Sequence, residues 1–241
     1  MADPLRAVRI DERAVCPLAE CDGSGWILGP EDIARPCRCR EATARRRRRR
    51  GVNSELPPRF RDVSLSLLTN DGTDPTALRA VRTFIEGMDE SLSAGSGLWL
   101  SGPVGNGKTS LGMLVSKSAL EAGHAVAIYS TPKLLTSIRA TFQENFLGES
   151  YSRFFERLTS VDLLHIDDLG AERQTEWVIE QLYAIINERY EQQRSMLVTT
   201  NLDEDELREQ LGDRIVSRLL EMCALVLVRG DDRRPHLSPE I

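Results

Sequence analysis

One octapeptide decides most of what this chain can fold into. Residues 102–109 read GPVGNGKT and match the spacing G-x-x-x-x-G-K-[ST]. They follow a short apolar stretch, GLWLSG, and open a helical pattern from about Thr109. Strand, loop and helix in that order let backbone N–H groups wrap a phosphate chain at a helix N-terminus. Gly102, Gly105 and Gly107 keep side-chain bulk out of the loop, and Pro103, Val104 and Asn106 complete it. Lys108 is placed to neutralise β- and γ-phosphate oxygens, Thr109 offers a hydroxyl to Mg²⁺, and Ser110 ends the expected ATP-binding set. ATP and Mg²⁺ are the expected ligands.

A loop of this kind needs a parallel sheet behind it. Apolar stretches at GLWLSG, AVAIYS, VDLLHID, SMLVTT and ALVLV alternate with helical patterns, which predicts a parallel sheet covered by helices on both faces. Asp74 and Pro75 open a helix carrying Leu78, Val81, Ile85 and Met88. Further helices are expected over 134–144, 151–158, 175–192 and 204–221. VDLLHID ends in Asp167 and Asp168. Asp167 suits Mg²⁺, directly or through water, and Asp168 stands where a carboxylate can orient and deprotonate an attacking water. SMLVTT should lie between the loop strand and the Asp167 strand. Asn201 at its end then reaches the γ-phosphate or the water, or serves only as a strand end and helix cap.

Composition bounds the rest. Thirty-one basic and 37 acidic side chains leave a net charge of −6, so no global positive field recruits nucleic acid. Six consecutive arginines, Arg45 to Arg50, form a local exception. The N-terminus lacks an apolar leader, and no apolar run approaches about 18 residues, so a cytoplasmic protein without a membrane partner is expected. Four of five cysteines, Cys16, Cys21, Cys37 and Cys39, crowd into a segment with almost no apolar core. In a reducing compartment that clustering points to a structural Zn²⁺, with free thiols as the alternative. Gly23, Gly25 and Trp26 read as its turn and packing residues. The chain divides into a zinc-binding module at 1–50, a linker at 51–72 with packing groups from Phe60, Val63 and Leu65, and a nucleotide domain at 73–241.

These motifs together, with GDRIVSRL at 212–219, resemble AAA+ ATPases, most specifically the DnaC/IstB-type helicase loaders. The resemblance runs over 16–39 and about 56–234, through CPLAECDGSGW, CRC, LPPRFRDVSL, GPVGNGKTS, LLHIDDLGAERQTEW, VTTN and DRIVSRL. It implies that Arg218 is the arginine finger reaching a neighbouring subunit's γ-phosphate, with Arg214 the runner-up, and that Arg234 lies near the phosphate-sensing arginine. It also implies self-association through the AAA+ domain and an absent or truncated lid. The partners it implies are a hexameric replicative DNA helicase, gripped by the N-terminal module, and single-stranded DNA. A transposase regulator acting on duplex DNA is the alternative within the family. A small-molecule kinase would need an acceptor pocket, and a motor helicase would need more chain.

Two features stay open between roles. Arg45–Arg50 can be a solvated run, a protein contact or a phosphate contact. Phe142, Phe146, Tyr151, Phe154 and Phe155, with Arg139, Arg153 and Arg157, fit either a stacking platform for single-stranded DNA or apolar helix faces. Core packing is expected for most of the aromatics and DNA contact for some of the arginines.

Overall fold

The computed structural model describes residues 16, 18, 20–22, 25–28, 33–39, 55–142, 150–172 and 174–232. The chain forms two compact units, Met1–Arg47 and Arg48–Ile241. In the first, β1 (Trp26–Leu28) and β2 (Ala34–Pro36) pair antiparallel, with Ile27 opposite Arg35. The Cys37 N–H donates to the Gly25 carbonyl at 2.8 Å, which holds the cysteines that follow β2 beside the turn that precedes β1. Ile27 packs on the buried cysteines, and Trp26 is 43% exposed.

The second unit is built on five parallel strands in the order β4-β5-β6-β3-β7: β3 (Gly97–Ser101), β4 (Val126–Ser130), β5 (Leu163–Asp167), β6 (Ser195–Thr200) and β7 (Cys223–Leu227). β6 lies between β3 and β5, as expected. Parallel strands end on one edge, so the loop after β3, the acids after β5 and Asn201 after β6 meet there.

Strand side chains alternate faces and so sort the helices. Leu98, Leu100, Val126, Ile128, Leu163 and Leu197 face α1 (Leu65–Asn70), α2 (Pro75–Glu86), α3 (Met88–Ser93) and α4 (Lys108–Glu121). Trp99, Ala127, Tyr129, Leu164, Ile166, Met196 and Val198 face α5 (Thr131–Ala140), α6 (Tyr151–Ser160), α7 (Glu176–Glu191), α8 (Glu204–Leu211) and α9 (Asp213–Met222). Both faces are covered, which explains why these strands read as nearly continuous apolar runs.

Caps set several boundaries. Asp74 accepts from the Thr76 N–H with Pro75 in the first turn of α2, Thr175 caps α7, and Asp203 and Glu206 form a reciprocal capping box on α8. The helical stretch expected over 204–221 is two helices, broken at Gly212, whose φ is 89°. The helix expected over 134–144 starts at Thr131 and ends at Ala140, and Gln143 and Glu144 lie outside the described residues.

The linker expected at 51–72 needs correction over its second half. Val63 and Leu68 are buried in the core, with Leu56, Phe60 and Leu65 packed against it, and Ser64 caps α1. Those apolar groups cover α2 and α4, so this stretch belongs to the ATP-binding unit. Six helical residues carry too little periodicity to announce themselves in sequence.

Arg189 of α7 is fully buried and ties three segments together. Its guanidinium donates to the carbonyls of Leu158 (2.8 Å), Thr159 (3.2 Å) and Val161 (3.1 Å), joining the end of α6 to the approach to β5, and also to Ser195 at the start of β6. Arg189→Met keeps the bulk and removes the donors, leaving buried carbonyls unpaired. It should cost about 3 kcal/mol and lower Tm by roughly 10 °C. A melting curve superimposable on wild type would show that the carbonyls are satisfied without it.

Candidate nucleotide site and cysteine cluster

The loop is held from beneath. Ser101 Oγ donates to the Leu202 carbonyl at 2.7 Å, and the Asn106 amide, fully buried, donates to the Val228 carbonyl after β7. Gly107 takes a φ of 98° to turn the chain into α4. Gly105 has a φ of 81°, where a side chain is strained, and a Cβ there would displace the Asp232 carboxylate. Lys108 is 6% exposed. Its Nζ donates to the carbonyls of Gly102 and Pro103, both at 2.7 Å, and to Asn106 Oδ1 at 3.2 Å. A glycine turn at a helix N-terminus with a buried ammonium curled over it has the donors that a phosphate chain needs.

Facing it is a hydrogen-bonded set at the ends of β5 and β6. The Thr199 hydroxyl donates to Asp167 Oδ1 at 2.7 Å and accepts from the Asp168 N–H at 2.9 Å. Asn201 Nδ2 donates to Asp168 Oδ1 at 2.7 Å. Thr131 Oγ1 lies 3.3 and 3.2 Å from the carbonyls of Asp167 and Asp168. Asp168 itself sits at φ 61°, a left-handed conformation that Asp and Asn tolerate better than most residues. Burial raises the pKa of the neighbouring Glu172, and the charge on Asp168 adds to the effect.

One cavity of about 570 Å³ joins these groups. Gly105, Asn106, Gly107, Lys108, Thr109 and Ser110 line it, opposite Asp167, Asp168, Thr199 and Asn201. Thr109 and Asp167 thus offer hydroxyl and carboxylate oxygens to one space, a donor set that fits Mg²⁺. Gly102 and Pro103 contribute through their carbonyls, and Val104 is exposed. Arg59, Phe60, Leu68, Asp71 and Thr73 complete the wall. Sequence reading assigned no site role to these five, nor to Thr199 or Thr131, although PPRF before the domain and TT before Asn201 were available signals.

His165 was also passed over. It is fully buried on β5, its Nδ1 2.9 Å from Ser116 Oγ and its Nε2 3.9 Å from Asp167 Oδ1. Burial pushes its pKa down to about 4, with the Asp167 charge pulling the other way. A histidine at an inward position of an apolar strand was the visible clue.

Arg218 is not among the residues lining the cavity. Its guanidinium lies over Tyr183 (5.0 Å) and Tyr190 (5.5 Å) and donates to the Arg214 carbonyl at 3.3 Å, while Arg214 is exposed. Arg234, Arg45–Arg50, Gly23 and Phe146 lie outside the described residues. The lid expectation concerns chain beyond β7, of which 228–232 are described.

Among the aromatics, Phe154 is buried, while Phe142 is 56% exposed and stacks on Tyr151 at 4.9 Å, with Phe155 5.9 Å further along. Arg139 lies 4.8 Å over Trp177, and Arg157 lies 5.4 Å over Phe154.

In the N-terminal unit the sulfurs of Cys16, Cys21, Cys37 and Cys39 all lie within 4.8 Å of one another. Cys16 and Cys37 are 3.9 Å apart, and Cys21 and Cys39 are 3.4 Å apart. Tetrahedral Zn²⁺ with Zn–S of about 2.3 Å separates its sulfurs by about 3.8 Å, so this cluster can bind zinc. Burial pushes the Cys16 thiol up, but N–H groups of Cys21, Glu20 and Leu18 outweigh it and hold Cys16 at about 6, whereas burial and the neighbouring thiols push Cys39 up and Cys37 is raised as well.

A parallel sheet with a phosphate loop after one strand and acids after another, separated by a strand with a polar end, defines an ATP-binding P-loop protein of the AAA+ type. The chain belongs to the family described as IstB-like ATP binding protein, whose profile matches residues 42–239. It is 28% identical over 131 residues to protein YdaV of Escherichia coli K12, covering 54% of this chain and 52% of that protein. It is 26% identical over 180 residues to the replicative helicase loader DnaI of Bacillus subtilis 168, covering 68% and 56%. It is also 26% identical over 163 residues to the replicative helicase loader DnaC of Escherichia coli K12, covering 67% and 64%. The chain therefore spans between about half and two thirds of the length of these relatives. A crystal structure of the DnaC helicase loader superposes with TM-score 0.62 at 26% identity, over 72% of this chain and all of that one. The replication initiator DnaA bound to AMPPCP and single-stranded DNA shares the fold, with TM-score 0.60 at 22% identity over 73% of this chain and 51% of DnaA. Among the described residues no helix is long and apolar enough to cross a membrane.

Asp168→Asn keeps a side chain suited to φ 61° and an oxygen for Asn201. With Asp168 as the expected base, it should leave nucleotide binding intact and slow ATP turnover by about 10²–10⁴-fold. Steady-state phosphate release measures this, and unchanged turnover would remove Asp168 from the base role.

Proposed function

We propose that this protein is an ATP-dependent helicase loader, active in the cytoplasm on a hexameric replicative DNA helicase and single-stranded DNA. The observation that carries the reading is the single cavity joining Lys108 and Thr109 to the Asp167–Thr199–Asp168–Asn201 set. The likeness to proteins named replicative helicase loaders supports it. Thr109 and Asp167 hold Mg²⁺, which when bound neutralises phosphate oxygens. Asp168 takes the proton of the attacking water and Asn201 orients the pair. The chain self-associates through the AAA+ domain, and Arg218, held on Tyr183 and Tyr190, serves a neighbour's γ-phosphate as the arginine finger. Arg234 contacts the phosphates from the segment after β7. Hydrolysis is slow and depends on assembly, because one cavity lacks that arginine until a second subunit arrives. Phe142, exposed at the end of its stack on Tyr151, offers a face to a base, and Arg139 a charge to the phosphates of a single strand.

The module at 1–50, held by one Zn²⁺ on Cys16, Cys21, Cys37 and Cys39, grips the helicase. The family's description favours one other reading, an IstB-like ATPase regulating a transposase on duplex DNA. The four-cysteine cluster argues for the loader.

Purified protein should contain about one zinc per chain and capture the replicative helicase of its own cell when ATP is present. Cys37→Ser with Cys39→Ser should lose both the zinc and the helicase, and still bind ATP. Capture of a transposase in place of the helicase would favour the alternative. Zinc-free protein that captures helicase normally would remove the module from the account.

A further inference from the structure

His165 has no part in the scheme above, and its surroundings are built for it. Strand β5 reads LLHID, and its inward positions Leu163 and His165 face α4. A leucine or valine would fill such a position at no polar cost, yet the ring is fully buried and its Nε2 has no hydrogen-bond partner. Two residues of α4 are matched to it, four apart on one helix face. Ser116 Oγ is 2.9 Å from Nδ1. At Gly112 a Cβ would stand 2.8 Å from Nε2 and 2.9 Å from Cε1, so the ring lies against bare helix backbone. Glycine inside a helix is unfavourable relative to alanine, and here it admits the imidazole.

Lys108, Gly112 and Ser116 share that face of α4, so the ring lies between the phosphate-loop helix and the end of β5. Its Nε2 is 3.9 Å from Asp167 Oδ1. The carboxylate decides the tautomer. A lone pair on Nε2 would face the lone pairs of Oδ1, whereas an N–H there points its positive end at the charge. Nε2 therefore carries the hydrogen, and Ser116 donates its own to Nδ1.

We infer that His165 is a positioning residue for Mg²⁺: with Ser116 behind it, its Nε2–H dipole draws the charge of Asp167 toward Oδ1, the oxygen that Thr199 already holds, so that the second carboxylate oxygen is presented to the metal. Ser116 O–H donates to Nδ1 at 2.9 Å and Thr199 O–H donates to Oδ1 at 2.7 Å, while Nε2–H faces the same oxygen across 3.9 Å as a charge–dipole contact, too long for a hydrogen bond. Oδ1 is thereby committed within the protein. This rests on Asp167 being the Mg²⁺ ligand.

The test is a Mg²⁺ titration of full-length protein with N-methylanthraniloyl-ATP, read by fluorescence beside the same nucleotide in EDTA. His165→Leu removes both ring nitrogens and should raise the Mg²⁺ needed for half-maximal tightening by about tenfold, the scale on which outer partners of metal ligands act. Its affinity in EDTA should match wild type. His165→Gln keeps an N–H near the Nε2 position and should recover most of the loss. Ser116→Ala, a small change that should fold even if His165→Leu does not, should raise the Mg²⁺ demand several-fold. Asp167→Asn separates the two claims. If it raises the Mg²⁺ demand while His165→Leu and Ser116→Ala leave it at the wild-type value, the positioning role falls and the ligand stands. If Asp167→Asn also leaves it unchanged, the ligand assignment falls and takes the inference with it. Equal losses in His165→Leu and His165→Gln, with EDTA affinity reduced alongside, would make His165 a packing residue only.

Discussion

The Thr199 hydroxyl is the interaction on which the site depends. It accepts from the Asp168 N–H at 2.9 Å and donates to Asp167 Oδ1 at 2.7 Å, so one side chain on β6 sets both acids at the end of β5. Without it the turn after Asp167 would have to hold Asp168 at φ 61° by its own preferences, which are unfavourable for most residues. The next residue continues the lock, since the Leu169 N–H donates to the Thr199 carbonyl at 2.8 Å and Thr200 Oγ1 donates to the Leu169 carbonyl at 2.7 Å. The conformation of Asp168 therefore relies on a neighbouring strand that is not adjacent in sequence.

The strand order makes that possible. β6 stands between β3 and β5, so its end can touch the phosphate loop on one side and the acids on the other. Ser101 donates to the Leu202 carbonyl after β6, and Asn106 donates to the Val228 carbonyl after β7. Each of these bonds joins the loop to a strand end, which preorganises the cavity on rigid elements. The helix that opens at Lys108 is packed on the sheet by Leu111, Leu114 and Val115.

The sheet and the phosphate site were legible in the sequence for one reason. Buried parallel strands are apolar throughout, and the loop motif has a fixed spacing whose context can be checked on either side. Asp167, Asp168 and Asn201 could be placed because each ends an apolar run. Thr131 and Ser116 could not, since a hydroxyl within a helix gives no sign of its partner until the neighbouring element is in position, and Thr199 was signalled only by its place beside Asn201. Residues 56–72 were misread as linker because their apolar groups act singly against α2 and α4 and show no period. Gly212 splits one helical pattern in two, which hydrophobic spacing alone does not show. The cysteine spacing C-x₄-C and C-x-C gave no geometry; the β1–β2 pairing brings Cys37 and Cys39 back beside the segment that holds Cys16 and Cys21.

The central claim is that ATP is bound by the loop at 102–109 with Lys108 as its cation. Titration calorimetry of ATP with Mg²⁺ into full-length wild type and Lys108→Ala measures it directly. Lys117 and Lys133, the other two lysines, lie on α4 and α5 away from the loop and cannot substitute. Loss of a buried charged donor to phosphate is worth about 1.5–3 kcal/mol, so the variant should bind ATP roughly 10- to 100-fold more weakly, or not measurably. Wild-type affinity in a folded Lys108→Ala protein would contradict the account.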